Sequence, residues 1–425
     1  MLPPLTSPIT TTTQPQPKMS DSTPYPLPQG LHLIPQELLD TRPDASIDHT
    51  IQNPPPVTSS KNIWFFWDTG YASMHNYTKR NIRSWHRRLS KQNWTIRVLD
   101  RVPGSPSNVS NFLPVTDPTV FPRAFTEGTI SGRYAVQHAS DLVRFPLLLR
   151  YGGVYADVGL LQIGDLDRLW RSTVGDPGSP FEVLSYNMNN DCLANYFLAS
   201  LPENPLFERC HRLLLALWGE GGGKTGTEGM SDSELLKGVP LMGGSFTIEE
   251  EGKVIPAEEV QKLLSDYIIQ GQAITMVMGL VDEEDGWDGP KYVAERVYGI
   301  DYMEGSQLIN VFTGWDGRKA FELMSLALPK DGEVESAEQK QAREIVEGCL
   351  QRSFGFKLAH GLIIRVFKCT LGSLWRENEG SDDVPGTYAH WLRYATNYWN
   401  QDELPAALEF PVREPLKRGR LLGGK

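Results

Sequence analysis

Residues 140–167 read SDLVRFPLLLRYGGVYADVGLLQIGDLD and predict a helix, a break and a strand in close succession. Leucine and phenylalanine recur at helical spacing in the first half, which is typical of a buried helix. Gly152 and Gly153 then end the helix, because glycine leaves a helix easily with a positive φ. The short apolar run 154–156 predicts a buried strand, and Asp157 stands at its carboxyl end. This order of elements is typical of an α/β protein.

Three charged residues of this stretch are candidate site residues. Asp141 and Arg144 lie three positions apart and share one face of the helix. In an open α/β sheet, a polar residue at the carboxyl end of a strand faces the ligand crevice, as Asp157 would. Each feature alone is more typical of a surface ion pair or a turn cap. The combination of all three in one stretch is what indicates a site.

The combination resembles the core of family 32 glycosyltransferases and their relatives, the sugar-transferring bacterial toxins. It is most similar to the subgroup of capsular-polysaccharide-synthesis proteins that is common in fungi. The pattern there is S-D-x-x-R, then G-G-x-Y-x-D, followed in most members by a second Asp. The matching positions in this chain are Ser140, Asp141, Arg144, Gly152, Gly153, Tyr155 and Asp157. The chain departs from the pattern at Gly159, which stands where the second Asp is expected.

This resemblance implies an α/β fold of GT-A type with a largely helical C-terminal portion. In such a domain a mixed, mostly parallel sheet flanked by helices binds a nucleotide sugar. The N-terminal residues agree with it. An apolar run at 61–70, an amphipathic pattern at 78–91 and an alternating segment at 94–100 predict strand, helix and strand. That order opens a doubly wound nucleotide-binding domain.

The predicted domain organisation has three parts. Residues 1–58 are dense in Pro, Thr and Ser and predict a mostly disordered leader, in which residues 30–39 are expected to lie against the body. Residues 59–400 are expected to form the glycosyltransferase domain, with a donor-binding half at 59–200 and an acceptor and closing half at 201–400. Residues 401–425 are expected to form a tail.

The resemblance implies roles for the residues of the central stretch. Asp157 would be a metal ligand, Asp141 and Arg144 would contact hydroxyls of the sugar or ribose, and Tyr155 would line the donor pocket. A carboxylate and a guanidinium together can accept from and donate to a pair of hydroxyls. We therefore expect Asp157, Asp141 and Arg144 to be the catalytic residues.

Further donor-binding candidates lie outside that stretch. In the resembling enzymes an aromatic residue of the first strand stacks on the base of the nucleotide. Trp67 occupies that position, and Trp64 is the alternative. A polar cluster after a predicted strand at 181–186 adds Asp191 and Asn195.

A nucleotide-sugar donor carries a pyrophosphate leaving group, and breaking the sugar–oxygen bond adds negative charge to it. Carboxylate oxygens suit Mn²⁺ or Mg²⁺, so we expect one of these ions as cofactor. Gly159 puts a two-carboxylate metal site in doubt. Mg²⁺ keeps water ligands and takes phosphate oxygens, so Asp157 and the pyrophosphate together could suffice.

Composition limits the partners and the location. The chain has 41 Lys and Arg against 52 Asp and Glu, a formal charge of −11, which argues against binding to nucleic acid. Its four cysteines lack metal-site spacing and predict reduced thiols. Residues 1–30 contain no apolar signal segment, and no apolar run is long enough for a transmembrane segment. The expected location is therefore cytoplasmic.

The resemblance implies a retaining glycosyltransferase that moves a hexose. The lack of a signal segment, a membrane span and a disulfide frame favours a small-molecule hydroxyl as acceptor over a polysaccharide. Because resembling fungal proteins include sugar transferases for terpenoids, the expected acceptor is a small lipophilic natural product such as a terpenoid. The expected donor is UDP-glucose. Aromatic residues near the C-terminus would suit a flat apolar acceptor, although ordinary core packing is expected for most of them: Trp375, Tyr388, Trp391, Tyr394, Tyr398 and Trp399. Two alternatives stay open: a hexosyltransferase that extends a polysaccharide or glycan, and a non-catalytic relative that only binds nucleotide sugars.

Overall fold

The computed structural model describes residues 23–423. The strands are β1 (Leu31–Leu33), β2 (Asn62–Phe66), β3 (Thr95–Leu99), β4 (Gly153–Ala156), β5 (Leu160–Gln162), β6 (Val183–Met188), β7 (Cys192–Ser200), β8 (Ile248–Glu250), β9 (Lys253–Ile255), β10 (Leu280–Asp282), β11 (Trp287–Asp288), β12 (Val297–Asp301), β13 (Gly355–Lys357), β14 (Trp399–Gln401) and β15 (Lys417–Arg418). The α-helices are α1 (Asp44–Gln52), α2 (Asn76–Leu89), α3 (Arg123–Thr126), α4 (Ala135–Tyr151), α5 (Leu166–Ser172), α6 (Pro205–Gly219), α7 (Ala257–Tyr267), α8 (Ile269–Met278), α9 (Gly289–Arg296), α10 (Tyr302–Thr313), α11 (Gly317–Ser325), α12 (Ala337–Arg352), α13 (Leu362–Phe367), α14 (Leu371–Glu377) and α15 (Tyr388–Tyr398).

Six strands form the central sheet, in the order β12-β6-β7-β4-β2-β3. All neighbouring pairs are parallel except the two that β7 makes, so five strands run in one direction and β7 runs against them. Every residue of β2 and β4 is buried, as expected for strands that helices cover on both faces. The prediction of a mixed, mostly parallel sheet flanked by helices is confirmed.

The parallel strands bring candidate site residues to one edge of the sheet. β2 pairs in parallel with both β3 and β4, so the carboxyl ends of these strands point the same way. Trp67 directly follows β2, and Asp157 directly follows β4. This edge is where open α/β sheets bind their ligands.

The C-terminal portion is largely helical, as predicted, and returns to this edge through one strand. β13 pairs antiparallel with β5, with Leu160 opposite Lys357. β12 adds a parallel strand to the side of the central sheet. The chain beyond residue 200 therefore both completes the sheet and reaches the carboxyl end of β4.

Most of the aromatic residues near the C-terminus are core residues, as expected from ordinary packing, and they do not form an acceptor site. They pack in one cluster with apolar side chains of α10, α11 and α12. Large rings fill the space between these helices, so little of their surface is left for a ligand. Four of the six are at most 2% exposed: Trp375, Tyr388, Trp391 and Trp399.

Residues 23–58 are folded onto the body. They include residues 30–39, which were expected to lie there, but disorder was predicted for the rest of this segment. β1 pairs with β14 near the C-terminus, and α1 buries Ile47 and Ile51 in the cluster that also contains β2 and β3 side chains. The two isoleucines are four positions apart in the sequence and therefore lie on one face of the helix. Residues 1–22 lie outside the described residues.

Paired charges hold this N-terminal segment against α2. Asp48 accepts hydrogen bonds from Arg83 at 2.6 and 2.7 Å. Asp44 accepts from Arg83 at 2.7 Å and from Arg87 at 2.6 Å. The N-terminal segment therefore neutralises part of the basic face of α2, although the composition of this segment predicts a disordered leader.

The predicted tail at 401–425 also packs on the body as far as residue 423. Phe410 and Leu421 are 5% and 2% exposed, and β15 pairs in parallel with β10. None of the helices within residues 23–423 has the length and hydropathy that a membrane crossing requires.

Gly153→Ala should be strongly destabilising, because a Cβ there would lie 2.3 Å from the Asn62 carbonyl oxygen and the φ is +94°. Gly128→Ala is the matched control, since its φ is +66° but a Cβ would meet no atom within 4 Å. Backbone strain of about 1–3 kcal/mol applies to both variants. Urea unfolding should show a clearly larger loss of stability for Gly153→Ala, and equal losses would contradict the close packing of β4 on β2.

Candidate active site

A two-glycine break joins α4 to β4 and turns the chain back along the sheet. Gly152 and Gly153 have φ angles of +64° and +94°. Trp64 of β2 donates a hydrogen bond to the Gly152 carbonyl at 2.9 Å. The hydroxyls of Ser140 and Tyr155 are 2.7 Å apart and tie α4 to β4. These contacts hold one face of α4 against the carboxyl end of β4.

Arg144 lies at the centre of the three predicted catalytic residues. Its guanidinium contacts Asp141 Oδ1 at 2.7 Å and Asp157 Oδ1 at 2.9 Å. The guanidinium also lies over the Tyr155 ring, 5.0 Å from the ring centroid. Only 5% of the Arg144 side chain is exposed. The structure therefore brings Asp141, Arg144 and Asp157 together in a buried cluster, not in a surface ion pair.

Gln270 of α8 belongs to this cluster and was missed by the sequence analysis. Its amide oxygen accepts from Arg144 at 2.8 Å, and its amide nitrogen donates to the Asp141 backbone carbonyl at 2.8 Å. Asn195 donates to the same amide oxygen at 3.3 Å. The available signal was the polar Gln-Gly-Gln triplet that interrupts the apolar run 267–281.

Lys357 of β13 is the second missed residue. Its Nζ lies 2.5 Å from Asp157 Oδ2, so two cations contact the two oxygens of one carboxylate. Burial alone would raise the pKa of Asp157, but the charges of Lys357 and Arg144 outweigh it and hold the pKa below its ordinary value. Asp157 is therefore ionised at neutral pH. No local pattern could have indicated a contact across 200 residues of chain.

A row of aromatic and imidazole rings leads from this cluster to Trp67. The His360 Nε2 and the Tyr77 hydroxyl are 2.7 Å apart. His75 stacks on Tyr77 with centroids 6.0 Å apart, and it meets Trp67 edge-on at 5.8 Å. Burial, reinforced by the charge of Lys357, lowers the pKa of His360 to about 3, so this ring is neutral at neutral pH.

The other predicted donor-binding residues differ in how they are placed. Trp67 is half-buried, whereas Trp64 is fully buried, so Trp67 is the better placed for stacking on a base. Tyr155 is fully buried beneath Arg144, and its direct contact with a donor stays a prediction. Asp191 lies in the turn between β6 and β7 with Arg413 at 4.0 Å, and it makes no hydrogen bond to the cluster in the described part of the chain.

The residues around Asp157 do not form a metal site by themselves. Between residues 23 and 423, no group of three or more His, Cys, Asp or Glu side chains is arranged to hold a metal ion. Both oxygens of Asp157 already contact cationic groups. At Gly159 a Cβ would lie 2.9 Å from the Leu358 carbonyl oxygen, so the second carboxylate has no room. The expected Mn²⁺ or Mg²⁺ stays a prediction, with Asp157 as its single candidate ligand.

A cleft of about 590 Å³ opens beside the carboxyl ends of β2 and β3. It begins one residue after Trp67 along the chain, but none of the predicted site residues lines it. Its walls combine two ion-paired residues with apolar and loop residues, namely Asp68, Thr69, Arg101, Val102, Pro103, Phe125, Thr126, Glu127 and Gly128. The cleft leaves room for a ligand next to Trp67 at the ligand-binding edge of the sheet.

Comparisons with known proteins identify the family to which the chain belongs. The profile of the family described as capsular polysaccharide synthesis protein matches residues 32–221. The O-glycosyltransferase braB of Annulohypoxylon truncatum is 32% identical over 93% of this chain and 94% of its own length. The glycosyltransferase afumC of Aspergillus fumigatus is 36% identical over 87% of this chain and 93% of its own. The chain belongs to this family of fungal glycosyltransferases.

The chain is therefore an enzyme, a glycosyltransferase, and the matches extend over both its N-terminal and C-terminal portions. One solved structure, PaToxG Glycosyltransferase, is matched over 43% of this chain and 68% of that chain, with a TM-score of 0.26 and 18% identity. That likeness is too low to support a conclusion about the fold.

Arg144→Leu should lower the free energy of unfolding of the enzyme by about 3–5 kcal/mol, because it leaves Asp141 and Asp157 without their shared cation in a buried site. Arg123→Leu is the matched control: Arg123 is 76% exposed and pairs with Glu127 on the same helical face. Such an exposed pair is worth about 1 kcal/mol or less. Urea unfolding of both variants measures the difference, and a loss at Arg144 no larger than at Arg123 would contradict the buried cluster.

Proposed function

We propose that the enzyme is a retaining hexosyltransferase of GT-A type that transfers glucose from UDP-glucose to a hydroxyl of a small lipophilic natural product, such as a terpenoid. The observation that carries this proposal is the buried cluster of Asp141, Arg144, Asp157 and Gln270 at the carboxyl end of β4. The relative braB is an O-glycosyltransferase, which supports transfer to oxygen.

The cluster has the chemistry that sugar recognition requires. Asp157 is ionised, and 24% of its side chain is exposed, so a free lone pair can accept from a sugar hydroxyl. Arg144 contacts Asp141 and Asp157 at the same time and therefore fixes the orientation of both carboxylates. Pre-oriented acceptors of this kind bind hydroxyl pairs without having to rearrange.

The nucleotide would bind along the same edge of the sheet. Trp67 offers a half-buried ring beside the carboxyl ends of β2 and β3, and the cleft that begins at Asp68 adjoins it. His75, Tyr77 and the neutral His360 line the way from Trp67 to Asp157. A base stacked on Trp67 would therefore direct its diphosphate toward the end of β4.

An apolar cluster beside the catalytic residues supports a lipophilic acceptor. Ile248, Val260, Leu264 and Leu362 form its buried centre, and several half-buried side chains surround it. These outer members are Tyr134, Met242, Ile255, Leu263, Tyr267, Ile363 and Val366. The cluster reaches α4, because Tyr267 packs against Tyr134 with centroids 4.8 Å apart and against His138 at 6.0 Å. Half-buried apolar side chains suit an apolar molecule better than a polysaccharide.

The reaction needs no nucleophile from the enzyme. The bond between the anomeric carbon and the diphosphate oxygen breaks, and the acceptor oxygen forms the new bond on the same face of the sugar. The proton of the acceptor hydroxyl passes to a phosphate oxygen of the departing diphosphate. The chain's own residues bind the sugar, hold the acceptor and exclude water.

Asp157→Asn should reduce transfer about 10²- to 10³-fold, which is typical for the loss of one charged contact made in the transition state. The assay incubates the enzyme with UDP-glucose and a panel of terpenoid alcohols and oligosaccharides, and mass spectrometry detects the products. Asp232→Asn is the control, because Asp232 pairs with Lys262 on the exposed surface. Thermal unfolding confirms that both variants fold.

Three outcomes separate the proposal from its alternatives. Transfer to terpenoid alcohols with loss in Asp157→Asn supports it. Transfer to oligosaccharides alone would replace it with a glycan-extending activity. A protein that binds UDP-glucose but neither transfers nor hydrolyses it would be the non-catalytic relative.

A further inference from the structure

The backbone pairing of β13 fixes the position of Lys357. β13 runs antiparallel to β5 with Lys357 opposite Leu160, and the pairing continues when the Leu358 N–H donates to the Gly159 carbonyl at 2.8 Å. This register places Lys357 Nζ 2.5 Å from Asp157 Oδ2. The lysine side chain is only 15% exposed, so it is held in place and does not move freely in solvent.

The same strand explains why position 159 is glycine. A Cβ at Gly159 would lie 2.9 Å from the Leu358 carbonyl oxygen, closer than real Cβ atoms come to backbone. It would also lie 3.7 Å from Lys357 Nζ. The backbone that positions Lys357 therefore occupies the space that an aspartate side chain at position 159 would need.

The charges of the cluster are balanced without a metal ion. Asp141 and Asp157 contribute two negative charges, and Arg144 and Lys357 contribute two positive charges at 2.5–2.9 Å from the carboxylates. A divalent cation on Asp157 would have to lie beside the ammonium of Lys357 and would be repelled by it. His360 adds no positive charge to this balance, because burial keeps its ring neutral.

We propose that Lys357 supplies the fixed positive charge at which the donor diphosphate binds, in the place of the second aspartate and its divalent cation. This inference rests on the proposed function, a nucleotide-sugar donor at the end of β4. The ammonium of Lys357 contacts Asp157 on one side and a diphosphate oxygen on the other. When the bond from the anomeric carbon to the diphosphate oxygen breaks, the ammonium of Lys357 stabilises the negative charge that develops on that oxygen.

The test compares binding of UDP with binding of uridine, which lacks phosphate, by calorimetry or ligand-observed NMR. Lys357→Met should weaken UDP binding about 10- to 100-fold, the effect of one lost charge-assisted hydrogen bond, and leave uridine binding unchanged. Lys357→Arg should retain most of the UDP affinity. Lys368→Met is the control, since Lys368 is 73% exposed and pairs with Glu249 at the surface. Thermal unfolding of each variant verifies that it folds.

The same measurement is repeated after EDTA treatment and after addition of Mn²⁺. The affinity of the wild-type enzyme for UDP should differ by no more than about twofold between the two conditions, because the positive charge that binds the diphosphate belongs to a lysine side chain and not to a metal ion. UDP binding that appears only with Mn²⁺, or that survives in Lys357→Met, would overturn the role of Lys357 and leave the proposed function standing. Failure of the wild type to bind either UDP or GDP in any condition would contradict the nucleotide-sugar function, and the role of Lys357 with it.

Discussion

The contact of one guanidinium with two carboxylates organises the site. Arg144 comes from the middle of α4, Asp141 from the preceding turn of the same helix, and Asp157 from the end of β4. A buried cation without partners would be very unfavourable, so the helix and the strand must keep the spacing that satisfies it. Gln270 adds a third element, because α8 has to lie where its amide can bond both Arg144 and the backbone of Asp141.

The site combines residues from both halves of the chain. The sequence pattern of the catalytic stretch lies within about 30 residues, but the groups that neutralise and shape it come from α8 and β13. Lys357 Nζ contacts Asp157 Oδ2, and the His360 ring contacts the Tyr77 hydroxyl. The strand register that brings Lys357 in also removes the room for a side chain at position 159. A departure from the family pattern and a distant lysine are thus two consequences of one piece of backbone geometry.

The sequence was informative wherever the determining interactions are local. The first strand, helix and strand were predicted at 61–70, 78–91 and 94–100, and the structure has Asn62–Phe66, Asn76–Leu89 and Thr95–Leu99. These boundaries follow from apolar periodicity and turn residues, which act over a few positions.

Other features depend on contacts between distant parts of the chain. The N-terminal segment folds because its carboxylates meet the basic face of α2, which composition does not show. Which of the C-terminal rings lie in the core depends on the three helices that pack around them, and these come from other parts of the chain. Lys357 carries no local signal at all, since its partner lies 200 residues away.

The most direct measurement is a crystal structure of the enzyme grown with UDP and Mn²⁺, with anomalous data to locate manganese. We expect to find the uracil on Trp67, the diphosphate at Lys357 Nζ beside Asp157, and no manganese peak between Asp157 and the phosphates. A manganese ion bridging Asp157 and the diphosphate, with Lys357 displaced from the carboxylate, would contradict it.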